Sequence, residues 1–321
     1  MKEFSIIDHF FKQRSYQRKD VLIGIGDDCA VGKVAKGQNI AITTDTLVKG
    51  VHYPHDTSAR AIAHKAVAVN LSDLAAMGAE PAWISLSLAM PESDPAWLEE
   101  FSLGLQEISE YYSIQLIGGD TVQGPLTVTI TAQGFIPEGQ ALTRSDAKPG
   151  DALYVTGTIG DAGLGLDVVQ NKLRIPVQFH ETICDRLNYP TPRVLVGTML
   201  RRVASACIDI SDGLLADLQH ILDASSCGAL INIDKLPLSQ AMLESVDAEA
   251  SLNYGLTAGD DYELLFCVPE DKIANMERAL LNANTAFTCI GQMTGQAGKL
   301  EMQFNKQPFV FSGKGFEHFS G

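Results

Sequence analysis

Apolar segments of strand and helix character alternate along this chain, and an aspartate repeatedly stands where one of them ends. Asp27 and Asp28 follow a Gly-x-Gly turn in GIGDDCA; Thr43, Thr44 and Asp45 close the strand-like run that begins NIAITT; Asp120 follows IQLIGG. Asp209 and Asp212 lie in IDISDG, and Asp260 and Asp261 in AGDDYELLF. Alternation of this kind belongs to α/β folds. A single aspartate at such a place is ordinarily a cap or turn residue, and Asp94 and Asp212 need be nothing more. Asp73 in VNLSDLAAMG differs. It interrupts an apolar helical pattern three residues after Asn70 and on the same face, and a carboxylate on a face due for burial must find a partner or protonate.

Charge narrows the partners. The 24 basic and 39 acidic residues leave a net −15, which argues against a nucleic-acid backbone or an anionic membrane as partner unless cations intervene. The six cysteines are dispersed without a CxxC or a histidine cluster, so neither a zinc site nor a disulfide framework is expected. No apolar run approaches a membrane span. Phe4, Ile7, Phe10 and Phe11 are spaced like one face of an amphipathic helix, and Asp8 and His9 break any signal-peptide core. A cytoplasmic protein is expected.

The 321 residues, 45% hydrophobic, suffice for two domains. Residues 39–44 read as a strand, 58–77 as a helix stopped at Gly78, 82–90 as an alternating strand, and 94–112 as a helix with Asp94 and Pro95 at its start. The strands IQLI and LTVTITAQGFI follow. The aperiodic ALTRSDAKPGD, residues 141–151, marks a boundary, giving domains 1–147 and 148–321. The second half restarts with the strand ALYVTG, then helices near 192–203, 213–226 and 270–282 and strands near 206–210, 229–233, 262–268 and beyond Phe287.

Two chemistries fit the loops. The turn TGTIGDAGLG stands between a strand and a helix, where backbone N–H groups can hold phosphate; it matches neither GxxxxGK[ST] nor GxGxxG, and close packing accounts for its glycines equally well. The acids suggest a hard divalent cation. Carboxylate, hydroxyl and water oxygens are the ligands Mg²⁺ prefers, and Mg²⁺ would in turn carry a polyphosphate.

The motifs GIGDDCA, TTDTLVKGVHY, VNLSDLAAMGA, IGGDT, LTRSDAKPGD, DISDGLLAD and GDDYELLF, in this order across nearly the whole chain, resemble those of the thiamine-monophosphate kinase family, within the aminoimidazole ribonucleotide synthetase and selenophosphate synthetase-like superfamily. The resemblance implies a two-domain α/β fold whose N-terminal domain forms a dimeric β-barrel with a C-terminal α/β domain packed against it. It implies phosphorylation of thiamine monophosphate by ATP to thiamine diphosphate, the last step in making that cofactor, by direct in-line transfer in a homodimer. Carried over by motif, Asp28, Thr43, Thr44, Asp45, Asp73, Asp120, Asp209 and Asp212 would hold several Mg²⁺ ions. Gly119, Asp120, Arg144 and Ser211 would bind ATP, and His52, Asp260 and Phe316 the thiamine monophosphate. No general base is implied. The chain departs from the family at Asp260, commonly Glu, and at Phe316, commonly Trp. Other Asp-rich ATP-dependent synthetases of the superfamily and a non-catalytic nucleotide-binding regulator are the alternatives. On residues alone, His52 reads sooner as a packed or surface histidine, and Phe316 serves equally as a C-terminal core aromatic.

Overall fold

The computed structural model describes residues 3–311 and divides the chain into two compact units. One comprises Met1–Leu74 with Ala79–Gly139, the other Ala75–Gly78 with the chain from Gln140 onward.

In the first unit, α1 (Glu3–Ile6) runs into a π-helical turn, Ile7–Lys12, that buries Phe10 and Phe11. Strands β1 (Val21–Ile23) and β2 (Val31–Gly32) make a short ribbon. Beside it the Arg18 guanidinium and the Trp83 indole both donate to Asp20, and Arg18 holds that carboxyl below its ordinary range. There follow β3 (Gln38–Val48), α2 (Ala59–Ala76), β4 (Glu80–Met90), α3 (Pro95–Tyr112), β5 (Gln115–Gln123) and β6 (Thr127–Pro137). The α3 start is fixed locally: the Asp94 side chain accepts from Ala96 N at 2.9 Å and Pro95 opens the helix, as a cap and first-turn proline should.

These four long strands form an open sheet in the order β3-β6-β4-β5. Only β4 and β5 pair in parallel, as the α3 crossover between them requires. The period of two then sorts side chains by face. Ile84, Leu86 and Leu88 of β4 lie beside Ala132, Ile130 and Val128 of β6, all buried. Thr43 and Asp45 of β3 stand in register with Ala132 and Ile130, on that same face. Thr44 and Thr46 point the other way, each exchanging a hydroxyl hydrogen bond at 2.9 Å with Thr131 or Thr129. Helix α2 is almost wholly buried, rich in alanine rather than two-faced, and α3 comes so close that a Cβ on Gly104 would meet the Arg60 carbonyl.

The second unit continues with β7 (Ala152–Thr156), α4 (Asp161–Val169), α5 (Val177–Asn188), α6 (Val194–Leu200), β8 (Ala206–Asp209), α7 (Leu214–Ser225) and β9 (Gly228–Asn232). Then come α8 (Gln240–Ser245), α9 (Ala248–Thr257), β10 (Leu264–Val268), α10 (Ile273–Leu280), β11 (Phe287–Thr294), β12 (Leu300–Phe304) and β13 (Gln307–Phe309). Its seven strands, ordered β13-β12-β9-β11-β7-β10-β8, are covered on both faces. Leu153, Val155 and Leu265 pack with Leu214, Leu218 and Ile221 of α7; Tyr154, Leu264 and Phe266 pack with Val196, Leu200, Met276 and Leu280. Each such side chain contributes ~1.5–3 kcal/mol on burial. Helix α5 stands where the sequence pattern suggests no element, because only Ile183 and Leu187 are buried on it. The short α8 and α9 are likewise unforeseen; they rest on caps, with the Ser239 and Asp247 side chains accepting from Met242 N and Ala250 N.

All six cysteines are free thiols. Among the described residues no helix is long and apolar enough to cross a membrane.

Gly119 in β5 has φ +149°, and a Cβ there would collide with the Leu86 carbonyl of the neighbouring strand. Gly139, with φ +71°, has no atom within 4 Å of such a Cβ. In urea denaturation, Gly119→Ala is expected to cost ~3 kcal/mol or more, and Gly139→Ala only ~1–2 kcal/mol, the cost of the left-handed backbone alone.

Candidate active site

Two of the acidic motifs, TTD and NLSD, meet in the first unit. Thr43 Oγ1 donates a hydrogen bond to Asp73 Oδ2, which joins the β3 face to α2. Asp45, two residues along the same face, is pushed up to about 6, first by burial and then by the Asp73 carboxylate. Both influences raise it, and neither is a cation. One turn before Asp73, Asn70 is fully buried; its amide nitrogen donates to Ala66 O at 3.0 Å, and its Oδ1 has no hydrogen-bond partner.

The GDD and GGD motifs share a cavity of about 670 Å³. Asp28, Gly119 and Asp120 line its polar side, and Ile7, Phe11 and Leu116 its apolar side. Asp28 N donates to Asp27 Oδ1 and Thr121 N to Asp120 Oδ1, both at 2.9 Å, and Asp28 and Asp120 are both exposed. At the far end of β3, the His52 ring accepts from Val48 N through Nδ1 at 3.0 Å. That bond places the proton of a neutral imidazole on Nε2.

In the second unit the DISDG and GDDYEL loops lie against each other. Asp260 N donates to Ser211 O and Tyr262 N to Ile210 O, both at 2.9 Å, while Ile210 N donates to Glu263 O at 2.8 Å. Asp209, Ser211, Asp212 and Asp260 are thereby gathered at one end of β8 and β10. Arg144 is exposed on a loop pinned by the Ser225 hydroxyl, which donates to its carbonyl at 2.7 Å.

Two acids face inward and hold loops in ways the sequence pattern does not reveal. Asp217 accepts from the N–H groups of Ser211, Asp212 and Gly213 at 3.0–3.1 Å, holding the DISDG loop. Burial pushes it up to about 7 against the pull of those donors. Asp261 accepts from Gly160 N at 2.5 Å and Ala162 N at 3.2 Å; burial pushes it up to about 8, opposed by Arg186 and the same two N–H groups. The glycine-rich turn therefore spends these N–H groups on an internal carboxylate. Its glycines serve packing: a Cβ on Gly157 would strike Glu263, and one on Gly163 would strike Ala258.

The expected residues differ in how far this geometry gathers them. Thr43, Asp45 and Asp73 come together. Thr44 has its hydroxyl on the opposite face of β3, paired with Thr131, so only its backbone is available to that cluster. Phe316 lies outside the described residues. Among the described residues no three His, Cys, Asp or Glu side chains are close enough to cage a metal by themselves. Mg²⁺ does not require such a cage, since it keeps waters and takes one or two carboxylates beside substrate phosphates. The unsatisfied Asn70 Oδ1 and the Asp45 and Asp73 carboxylates are hard oxygen donors of that kind, and they fit.

The two models of the AIR synthase related protein family match this chain, the N-terminal domain over residues 26–136 and the C-terminal domain over 148–303. The thiamine-monophosphate kinase of Salmonella typhimurium is 49% identical over 320 residues, covering 99% of this chain and 98% of the relative. The chain belongs to the thiamine-monophosphate kinases of the AIR synthase related family. The crystal structure of thiamine-monophosphate kinase from Stenotrophomonas maltophilia superposes with a TM-score of 0.87 at 40% identity, covering 96% of this chain and 98% of that one. AaThiL complexed with AMPPCP and TMP superposes with a TM-score of 0.78 at 29% identity, covering 99% and 97%.

The Asp45 shift has a testable sign. A carboxyl raised from 3.8 to about 6 favours the folded state below about pH 4, and that advantage is lost as pH rises through 6. In metal-free protein, wild type should therefore lose roughly 1–3 kcal/mol relative to Asp45→Asn between pH 4 and pH 7. Added Mg²⁺ should restore it at pH 7 and have no such effect at pH 4. Denaturation curves showing a pH-independent difference would contradict this placement of Asp45.

Proposed function

We propose that the protein transfers the γ-phosphoryl group of ATP directly to the phosphate of thiamine monophosphate, giving thiamine diphosphate and ADP. The observation that carries the reading is the half-buried Asp45, raised first by burial and then by the neighbouring Asp73 carboxylate, in a chain similar over its whole length to thiamine-monophosphate kinases. A relative with 29% identity binds AMPPCP, an ATP analogue, together with TMP.

The acceptor is already a phosphate anion, so deprotonation is a small problem and charge a large one. Unit like charges about 4 Å apart repel by ~4 kcal/mol per pair at an effective dielectric of 20. Mg²⁺, when bound, would supply the neutralisation and the alignment for in-line attack. In the first unit Asp28, Thr43, Asp45, Asp73 and Asp120 are the residues that would hold it, and Thr44 would contribute its carbonyl; in the second unit Asp209 and Asp212 would likewise bind metal. Gly119, which lines the cavity, offers its backbone to the nucleotide. Ser211 offers its hydroxyl, and Arg144 offers two parallel donors to a phosphate. His52, fixed with its proton on Nε2, donates to the acceptor's phosphate, and Asp260 faces the cationic thiazolium.

Two copies join their four-stranded sheets into a barrel in this reading. The exposed Ile40, Ile42 and Val122 are apolar surface of the kind such an interface covers.

With γ-labelled ATP, label should pass to thiamine diphosphate and never to protein, and free thiamine should be a poor acceptor. Asp73→Asn should fold, lower turnover by about two orders of magnitude or more, and raise the Mg²⁺ concentration needed for half-maximal rate. Recovery of a stoichiometric phosphoprotein would replace direct transfer with an aspartyl phosphate; near-normal turnover of Asp73→Asn at unchanged Mg²⁺ would remove Asp73 from the site.

A further inference from the structure

The segment between α9 and β10 holds two non-glycine residues in the left-handed region, Asp260 with φ +68° and Tyr262 with φ +51°. Such conformations persist only where the surroundings over-determine them. Here they do. The backbone on both sides is tied to the DISDG loop through Ser211 O and Ile210 O, and Asp261 is anchored on Gly160 N and Ala162 N.

Glu263 closes the segment from below. Its fully buried carboxylate accepts from Arg193 Nε at 2.6 Å and Nη2 at 2.5 Å, from Arg186 Nη2 at 3.0 Å and from Thr156 Oγ1 at 2.7 Å. Thr156 Oγ1 in turn accepts from Leu264 N at 2.8 Å. Asp261 and Glu263 thus face the interior, while Asp260 remains partly accessible. Tyr262 itself is buried, and its hydroxyl donates to Asp260 Oδ1 at 2.9 Å. A rigid aromatic on an over-determined backbone therefore fixes the direction of the one carboxylate in the segment that can reach a ligand.

We propose that Tyr262 is a positioning residue for substrate recognition, its hydroxyl setting the orientation in which Asp260 receives the cationic ring of thiamine monophosphate. The proposal rests on the assignment of Asp260 to that ring. The hydroxyl contributes no charge of its own, so its removal should loosen recognition of the thiazolium while leaving nucleotide binding alone.

Tyr262→Phe deletes only the hydroxyl and keeps the packing. Steady-state kinetics should show the KM for thiamine monophosphate raised about 3- to 10-fold, with the KM for ATP within about twofold of wild type, because a hydrogen bond to a charged group has been lost at one substrate only. Asp260→Asn should also raise the KM for thiamine monophosphate, and adding Tyr262→Phe to it should raise it little further, since Tyr262 acts through that carboxylate. A substrate analogue whose ring is uncharged gives a second readout. Wild type should prefer the thiazolium substrate over it, and Tyr262→Phe should narrow that preference. If Asp260→Asn raises the KM and Tyr262→Phe does not, or if the two effects multiply in the double variant, the positioning role is overturned while Asp260 keeps its place. If Asp260→Asn leaves the KM for thiamine monophosphate unchanged, both assignments fall.

Discussion

Taking a carboxylate out of water costs several kcal/mol unless a donor or a cation replaces the lost hydration, and the two units meet that cost differently. In the second unit the compensation is internal. Glu263 has two arginines, Asp261 the N–H groups at the start of α4, and Asp217 the three N–H groups of its own loop. These acids are structural and turn inward. In the first unit Asp45 receives only burial and a second carboxylate, so a proton or a cation must supply what the polypeptide does not. That difference separates a scaffold from a site with no appeal to motif names.

The same constraint explains how the scaffold presents its chemistry. A loop tied down by inward-facing acids can hold its neighbours outward without flexibility. Asp217 does this for Ser211 and Asp212, and Asp261 with Glu263 does it for Asp260. The first unit uses strand alternation instead: Thr43 and Asp45 share a face with Asp73, and Thr44 is carried to the other. Both devices place polar groups on rigid elements, which is where a phosphoryl-transfer site needs them, since positioning and charge supply most of that catalysis.

Much of this was legible in the sequence, for identifiable reasons. The β4 and β6 strands announce themselves by alternation, α3 by its Asp-Pro start, and the Asn70–Asp73 face by a three-residue spacing. The separation of Thr44 from its neighbours follows from the period of two once the strand is taken through Asp45 to Val48, four residues past the NIAITT run. What stayed hidden is non-local. Nothing along the chain links Glu263 to Arg186 and Arg193, which lie in another helix and another loop, and nothing in GDD says that Asp261 turns inward and Asp260 outward. Helices α5, α8 and α9 were illegible because caps and a few buried residues, not a broad apolar face, define them. The glycine-rich turn was ambiguous until Asp261 was found on its N–H groups.

The central claim is that the first unit's acids are matched by a divalent cation that also holds the nucleotide's phosphates. Mn²⁺ makes this directly measurable, because its electron paramagnetic resonance is sensitive both to protein ligands and to nearby phosphorus. Titrated into the protein with a non-hydrolysable ATP analogue, Mn²⁺ should bind with a spectrum distinct from the Mn²⁺–nucleotide complex in buffer, show coupling to phosphorus, and lose affinity at least about tenfold in Asp45→Asn. A spectrum identical to that of the free Mn²⁺–nucleotide complex, unaffected by Asp45→Asn, would contradict it.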